Sequence, residues 1–240
     1  VSTDNNEAAE LFKGYEKSAF VGTDFTQAGI MQGKMIGEYV LEHFDEIDLN
    51  HDGKISYVMF KGDEANQEAI ARTALAVEYA NKALVAAGKP EIEFYDASNA
   101  NKYLVDPNGS WSNVFSSEQM QTVLSMYNEG NGNMVELIIC NNDGMAEGAV
   151  SALQGAGYNN GEGKTIPVFG VDATDSAKQL INDGKMTGTI KQDAEGMAST
   201  ILNLVSSVNG GGNLMDNTAS FNVDEGVAKI RVPYATYTGE

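Results

Sequence analysis

Asp48-Leu-Asn-His-Asp-Gly-Lys-Ile-Ser56 sets oxygen-bearing side chains at alternate positions, Asp48, Asn50 and Asp52, and follows them with Gly53 and Ile55. That spacing turns the three toward one centre around a sharp glycine turn, with the Lys54 carbonyl next in line. A hard cation such as Ca²⁺ asks this of an EF-hand loop. At the last loop position, where such a loop carries a bidentate Glu, this chain has Met59, and Ile55-Ser-Tyr-Val-Met-Phe60 reads as strand where a second helix would follow. A distant carboxylate completes the site, or the loop is an Asx-rich turn that holds nothing. A second set of polar residues follows apolar runs: Cys140-Asn-Asn-Asp143, Gly170-Val-Asp172 and Ile190-Lys-Gln-Asp193. Each alone reads as the cap of the next helix. Three together point to a polar ligand.

The elements that must position these residues alternate. Helical periodicity over Ala28 to Ile47 is followed by a strand at Lys54 to Phe60, a helix at Glu68 to Ala87 and a strand at Ile92 to Tyr95. The alternation continues with a helix at Ser116 to Tyr127, a strand at Val135 to Cys140, a helix at Met145 to Leu153, a strand at Ile166 to Val171 and a short helix at Asp175 to Ile181. Strand-helix alternation predicts an α/β fold with a parallel sheet flanked by helices on both faces. In such a sheet ligands sit beyond the carboxyl ends of the strands, where the three polar clusters fall.

Composition narrows the partners. The 240 residues carry 15 Lys+Arg against 34 Asp+Glu, a formal net charge of −19. So acidic a surface repels nucleic acid and anionic membrane faces, and neither is expected as a partner. Hydrophobic residues at 42% and charged residues at 20% are ordinary globular usage, enough for a sizeable core. The single Cys140 lies in the apolar run Val135-Glu-Leu-Ile-Ile-Cys140 and reads as a core residue rather than a reactive thiol. No apolar stretch is long enough to span a bilayer, and Val1 to Glu7 has neither a basic nor an apolar region.

The loop Asp48-Leu-Asn-x-Asp-Gly-x-Ile, then Val135-Glu136, Asn141-Asn-Asp143 and Pro167-Val-Phe-Gly-Val-Asp172, together resemble the galactose/glucose-binding proteins of bacterial ABC sugar uptake, over nearly the whole chain. The resemblance implies the type I periplasmic-binding fold and a calcium ion held by Asp48, Asn50, Asp52, Lys54, Ser56 and Glu136. Glu136 supplies the missing carboxylate, which gives an acid in an apolar run a reason to be there. Ser56 stands where the family carries Gln, and its shorter side chain reaches the ion only through water.

Sugar hydroxyls are donors and acceptors at once, so they suit planar groups that bond two at a time, while the apolar face of a pyranose prefers an aromatic plane. By resemblance, Arg72, Asn142 and Asp172 correspond to the hydrogen-bonding residues and Trp111 to the stacking aromatic. Asn66 and Glu68 stand where the family has His and Asp, and Gln192 replaces a family Asn. The expected function is non-catalytic capture of galactose, glucose or a relative for a membrane permease of an ABC transporter, with an effector-sensing domain of a sugar-responsive transcription regulator as the alternative. A two-carboxylate hydrolase finds no support, since no nucleophile-base pair is apparent. The resemblance also implies a periplasmic or extracellular address, with a lipid anchor on the precursor of some members.

By the same comparison, residues 25–191 with 233–240 form a complete second lobe, and residues 1–24 with 192–232 are crossovers and remnants of a truncated first lobe. A helix near 194–208 should then expose Met197, Ile201, Leu202 and Val205, to be covered by a companion N-terminal fragment or a swapped dimer.

Overall fold

A computed structural model describes residues 10, 14–15, 17–224 and 227–239. The start of the segment 1–24, including Val1 to Glu7, and the last residue of the tail 233–240 lie outside the described residues.

Strands β1 (Phe20–Gly22), β2 (Ser56–Lys61), β3 (Glu93–Phe94), β4 (Leu104–Val105), β5 (Leu137–Cys140), β6 (Val168–Asp172), β7 (Gly188–Lys191), β8 (Asn222–Val223), β9 (Lys229–Arg231) and β10 (Ala235–Tyr237) form two sheets. The larger has the order β10-β7-β6-β5-β2-β3, with β4 also beside β2, and the smaller β1-β9-β8. Helices α1 (Phe25–Ile47), α2 (Gln67–Ala86), α3 (Asn113–Met126), α4 (Asp143–Gly155), α5 (Asp175–Asn182) and α6 (Ala194–Asn209) alternate with the strands.

The expected parallel sheet is present, with corrections at its edges. One strand was expected at Ile92 to Tyr95; instead β3 and β4 share the outer edge of β2, bonding to its first and last residues in turn. β10 runs antiparallel to β7, because the chain returns from the smaller sheet through only Val232, Pro233 and Tyr234. Helix α3 starts earlier than its apolar pattern because the Ser112 hydroxyl caps it by accepting from Phe115 N.

Apolar side chains fill both faces of the larger sheet. On one face Tyr57, Met59, Leu137, Ile139 and Phe169 pack against Ile36 and Val40 of α1 and Ala80 and Leu84 of α2. On the other face Val58, Phe60 and Ile138 pack against Met120 and Val123 of α3 and Met145, Ala149 and Leu153 of α4. The alternation along β2 and β5 between the two clusters follows from the period-2 geometry of a strand.

The contact between α1 and α2 decides where the site can be. Gly29, Gly33 and Gly37 recur at one-turn spacing on α1 and face the alanine-rich side of α2. A Cβ at Gly33 would lie 2.5 Å from the Ala76 carbonyl oxygen, and one at Gly29 would lie 3.1 Å from Cα of Arg72. Close approach through small residues brings Arg72 down onto the carboxyl end of β5. Gly33→Ala is expected to destabilise the protein by about 1–3 kcal/mol through overpacking against backbone. Urea unfolding measures it; an unchanged midpoint would show that the helices have room to separate.

Candidate functional site

Two buried carboxylates, Asp143 and Asp106, shape the carboxyl edge of the larger sheet. Asp143, with no exposed surface, accepts from Thr174 N at 2.8 Å and from the Thr189 hydroxyl at 2.6 Å. Just before Thr174, Asp172 and Ala173 adopt φ of 126° and 57°, a region that costs about 1–3 kcal/mol per non-glycine residue and is tolerated where surroundings enforce it. Gly170 makes room for the device, since a Cβ there would sit 2.2 Å from Asp143 Oδ1. Burial raises the Asp143 carboxyl above its ordinary range, and the Thr189 bond opposes the shift.

The second carboxylate, Asp106, accepts from Asn108 N at 2.9 Å and Ser112 N at 3.0 Å and so rolls up the loop that presents Trp111. Trp111 has φ of 53°, and its ring packs against Gly62, where a Cβ would approach within 2.1 Å of a ring carbon. Gln32, fully buried on α1, donates to the carbonyls of Cys140 at 3.0 Å and Gly170 at 3.1 Å, closing the ends of β5 and β6 from the other side.

Arg72 lies at the centre and is only 2% exposed. Its Nη1 donates to the Asn141 carbonyl at 2.8 Å, and its Nη2 to Glu68 Oε2 at 3.0 Å, Tyr234 Oη at 3.3 Å and Gln192 Oε1 at 3.5 Å. The guanidinium carbon is 5.6 Å from the Trp111 ring centre, within cation–π range. Asp172 faces this cation, and its carboxylate has no hydrogen-bond partner among the described residues. Burial pushes the Asp172 carboxyl up to about 6; Arg72 works against that rise, and Asp143 and Glu68 add to it.

Of the residues singled out in the sequence, the structure thus gathers Glu68, Arg72, Trp111, Asp172 and Gln192. Asn142 adjoins them: its Oδ1 caps α4 by accepting from Met145 N, and its Nδ2 is 3.5 Å from the Trp111 carbonyl. Asn66 is exposed, with its Oδ1 engaged in capping α2 through Glu68 N and Ala69 N. A cavity of about 480 Å³ opens beside Asp172 and Gln192, lined also by Lys178, Lys191 and Asp193. A larger depression of about 840 Å³ is lined by Val205, Val208, Leu214 and Met215, away from this polar cluster. It lies along α6, which buries Thr200 and Leu204 and exposes Ile201, Leu202, Val205 and Val208.

Sequence reasoning placed Asp143 within the polar strand end Cys140 to Asp143 without giving it a role, and missed Asp106, Thr23 and Tyr234. Asp143 and Asp106 carried a signal, since each is an acid at the end of an apolar run. Thr23 and Tyr234 carried none: their hydroxyls are 2.9 Å apart but 211 positions separate them in the chain.

At the loop, Asp48 Oδ1 accepts from Asp52 N at 3.2 Å, Asp48 Oδ2 from Gly53 N at 2.9 Å, and Asp52 Oδ1 from Lys54 N at 2.9 Å. Glu136, just before β5 and 1% exposed, accepts from Asn50 N and Ser56 N, each at 2.9 Å, and from the Ser56 hydroxyl at 3.1 Å. Burial holds its carboxyl above the ordinary range despite these bonds, and the Asp48 charge adds to the rise. Asn50 donates its Nδ2 to the Met134 carbonyl at 2.8 Å, while its Oδ1 is buried without a partner. The Lys54 side chain points away, to Glu93 at 2.7 Å. Among the described residues no three His, Cys, Asp or Glu side chains converge closely enough to hold a metal by themselves.

Comparison with known proteins accords with this architecture. The chain is 30% identical over 226 residues to the D-galactose/methyl-galactoside binding periplasmic protein of Haemophilus influenzae, covering 94% of this chain and 60% of that protein. It is 28% identical over 192 residues to a putative rhizopine-binding protein of Rhizobium meliloti, covering 80% of this chain and 52% of that one. The chain thus spans well under two thirds of the length of either relative. A solute-binding protein of Actinobacillus succinogenes solved with D-allose shares the fold at a TM-score of 0.66 and 20% identity, covering 97% of this chain and 65% of that chain. A counterpart from Bacillus halodurans solved with myo-inositol gives a TM-score of 0.61 at 22% identity, covering 92% of this chain and 60% of that chain. Residues 3–212 match the periplasmic binding protein domain. On that match, and on the alternating α/β architecture with polar side chains gathered at its carboxyl edge, the chain belongs to the periplasmic binding protein domain family.

Proposed function

We propose that this chain is a non-catalytic solute-binding component that captures D-galactose, D-glucose or a close monosaccharide outside the cytoplasm, for uptake through the membrane permease of an ABC transporter. The observation that carries the reading is the placement of an aromatic plane, a buried guanidinium and an unpartnered carboxylate within one cluster. Trp111 offers its ring to the apolar face of a pyranose. Asp172 offers two acceptor oxygens to adjacent hydroxyls, and Glu68, Asn142 and Gln192 offer further planar groups around it. Asn66 has an amide left to donate from the rim. The strain at Trp111 and Asp172 supports the same reading, because backbone forced into costly conformations clusters where ligands are held.

The loop from Asp48 to Ser56 fits Ca²⁺ in the chemistry of its donors. Asp48, Asn50, Asp52 and Glu136 offer side-chain oxygens, the Lys54 carbonyl lies between them in sequence, and the Ser56 hydroxyl adjoins Glu136. The unpartnered Asn50 Oδ1 is the observation that favours a cation here, since a buried acceptor left alone costs about 1–3 kcal/mol. The ion would tie the end of α1 to the approach to β5, a structural role remote from the sugar.

The sugar and metal readings are tested separately. Asp172→Asn removes a charge acceptor from the site, so D-galactose or D-glucose binding is expected to weaken about tenfold or more by titration calorimetry. A carboxyl whose folded pKa is raised destabilises the fold once ionised, so the penalty is present above about pH 6 and relieved as pH falls toward 4. The same variant should therefore raise the unfolding midpoint of the ligand-free protein at pH 7 and leave it unchanged near pH 4. Equal affinity in variant and parent would remove Asp172 from the site. For the metal, excess chelator is expected to lower the midpoint by several degrees, because a ion bound only by the folded state stabilises it by about 2.7 kcal/mol at a hundredfold excess over Kd. Glu136→Gln should erase that difference; identical midpoints of the parent in Ca²⁺ and in chelator would overturn the metal reading.

A further inference from the structure

The two sheets are joined by three short stretches of chain: Thr23 and Asp24 between β1 and α1, Gln192 and Asp193 between β7 and α6, and Val232 to Tyr234 between β9 and β10. A side chain from each stretch belongs to one network around Arg72. Tyr234 Oη and Gln192 Oε1 accept from Nη2 directly, at 3.3 and 3.5 Å. Thr23 joins through Tyr234, hydroxyl to hydroxyl at 2.9 Å. Because Tyr234 Oη already accepts from the guanidinium, its own proton is free to be donated to Thr23.

The arithmetic of Nη2 gives this network two states. The nitrogen carries two hydrogens and faces three acceptors, the third being Glu68 Oε2 at 3.0 Å, so one acceptor is always poorly served. Here the shortest bond goes to Glu68, on the ligand side, and the longest to Gln192, in a connecting stretch. A ligand hydroxyl that donates to Glu68 would draw that carboxylate away and leave both hydrogens to Tyr234 and Gln192.

We propose that Tyr234 and Thr23 are positioning residues of the ligand site, acting through Arg72: exchange of Glu68 from Nη2 to a sugar hydroxyl hands the guanidinium to the connections between the sheets and fixes their arrangement. This rests on the monosaccharide reading above for its ligand, but the hydrogen-bond exchange can be read without one. The consequence for function is that occupancy of the site and the relative placement of the two sheets share one donor.

Amide hydrogen exchange on the whole protein tests it. In ligand-free Glu68→Ala, where Nη2 is released as the ligand would release it, the amides of residues 22–24, 191–193 and 234 are expected to exchange at least fivefold more slowly than in the parent. In Glu68→Ala combined with Tyr234→Phe the slowing at 22–24 should vanish. Unchanged or faster exchange in Glu68→Ala would overturn the proposal whatever the ligand. Where the parent binds D-galactose or D-glucose, Tyr234→Phe should raise Kd about tenfold, while Leu84→Ala, a core change on the same helix that lowers stability, should leave Kd unchanged. An equal Kd in Tyr234→Phe and the parent would likewise overturn it. Failure of the parent to bind either sugar counts against the monosaccharide reading alone, since the ligand-free exchange result stands apart.

Discussion

A guanidinium taken almost completely out of water must be compensated or the fold loses several kcal/mol, and at Arg72 four surrounding segments supply acceptors to Nη1 and Nη2, while Nε is left without a partner. The end of β5 gives a carbonyl, the first turn of α2 gives Glu68, the chain beyond β7 gives Gln192, and the chain after β9 gives Tyr234. The glycine stripe of α1 is what permits it, since only small residues let α2 sit deep enough to bury its arginine. The interior demand for partners thus gathers residues distant in sequence into one cluster, with Trp111 over the cation and Asp172 facing it.

Around that centre, rigidity comes from the buried carboxylates Asp143 and Asp106. Asp143 and Asp106 hold backbone N–H groups in tight loops, and these bonds stabilise the unfavourable φ values at Asp172, Ala173 and Trp111. The side chains offered to a ligand therefore stand on conformations that the free loop would leave. On the proposed reading, a site of this kind would discriminate by pre-set geometry, because little ordering entropy would remain to be lost on binding.

The loop from Asp48 was legible in the sequence because its information is local: alternate oxygens, then glycine, within nine residues. The alternation of strands and helices was legible for the same reason, as were the polar strand ends at Asn142, Asp172 and Gln192. What escaped was tertiary. The apolar pattern of α3 begins after its Ser112 cap, so the helix was placed late, and β4 is only the two residues Leu104–Val105, too short to register as a strand pattern. Tyr234 and Thr23 meet only because two stretches of chain pass between the sheets side by side. No spacing rule encodes that meeting.

A crystal structure of the protein grown with D-galactose tests the central claim most directly. The expected result is a pyranose with one face on Trp111, hydroxyls on Asp172 and Glu68, and Arg72 Nη2 shortened onto Gln192 and Tyr234. A sugar seated in the apolar depression along α6, or bound without touching Trp111 and Asp172, would contradict it.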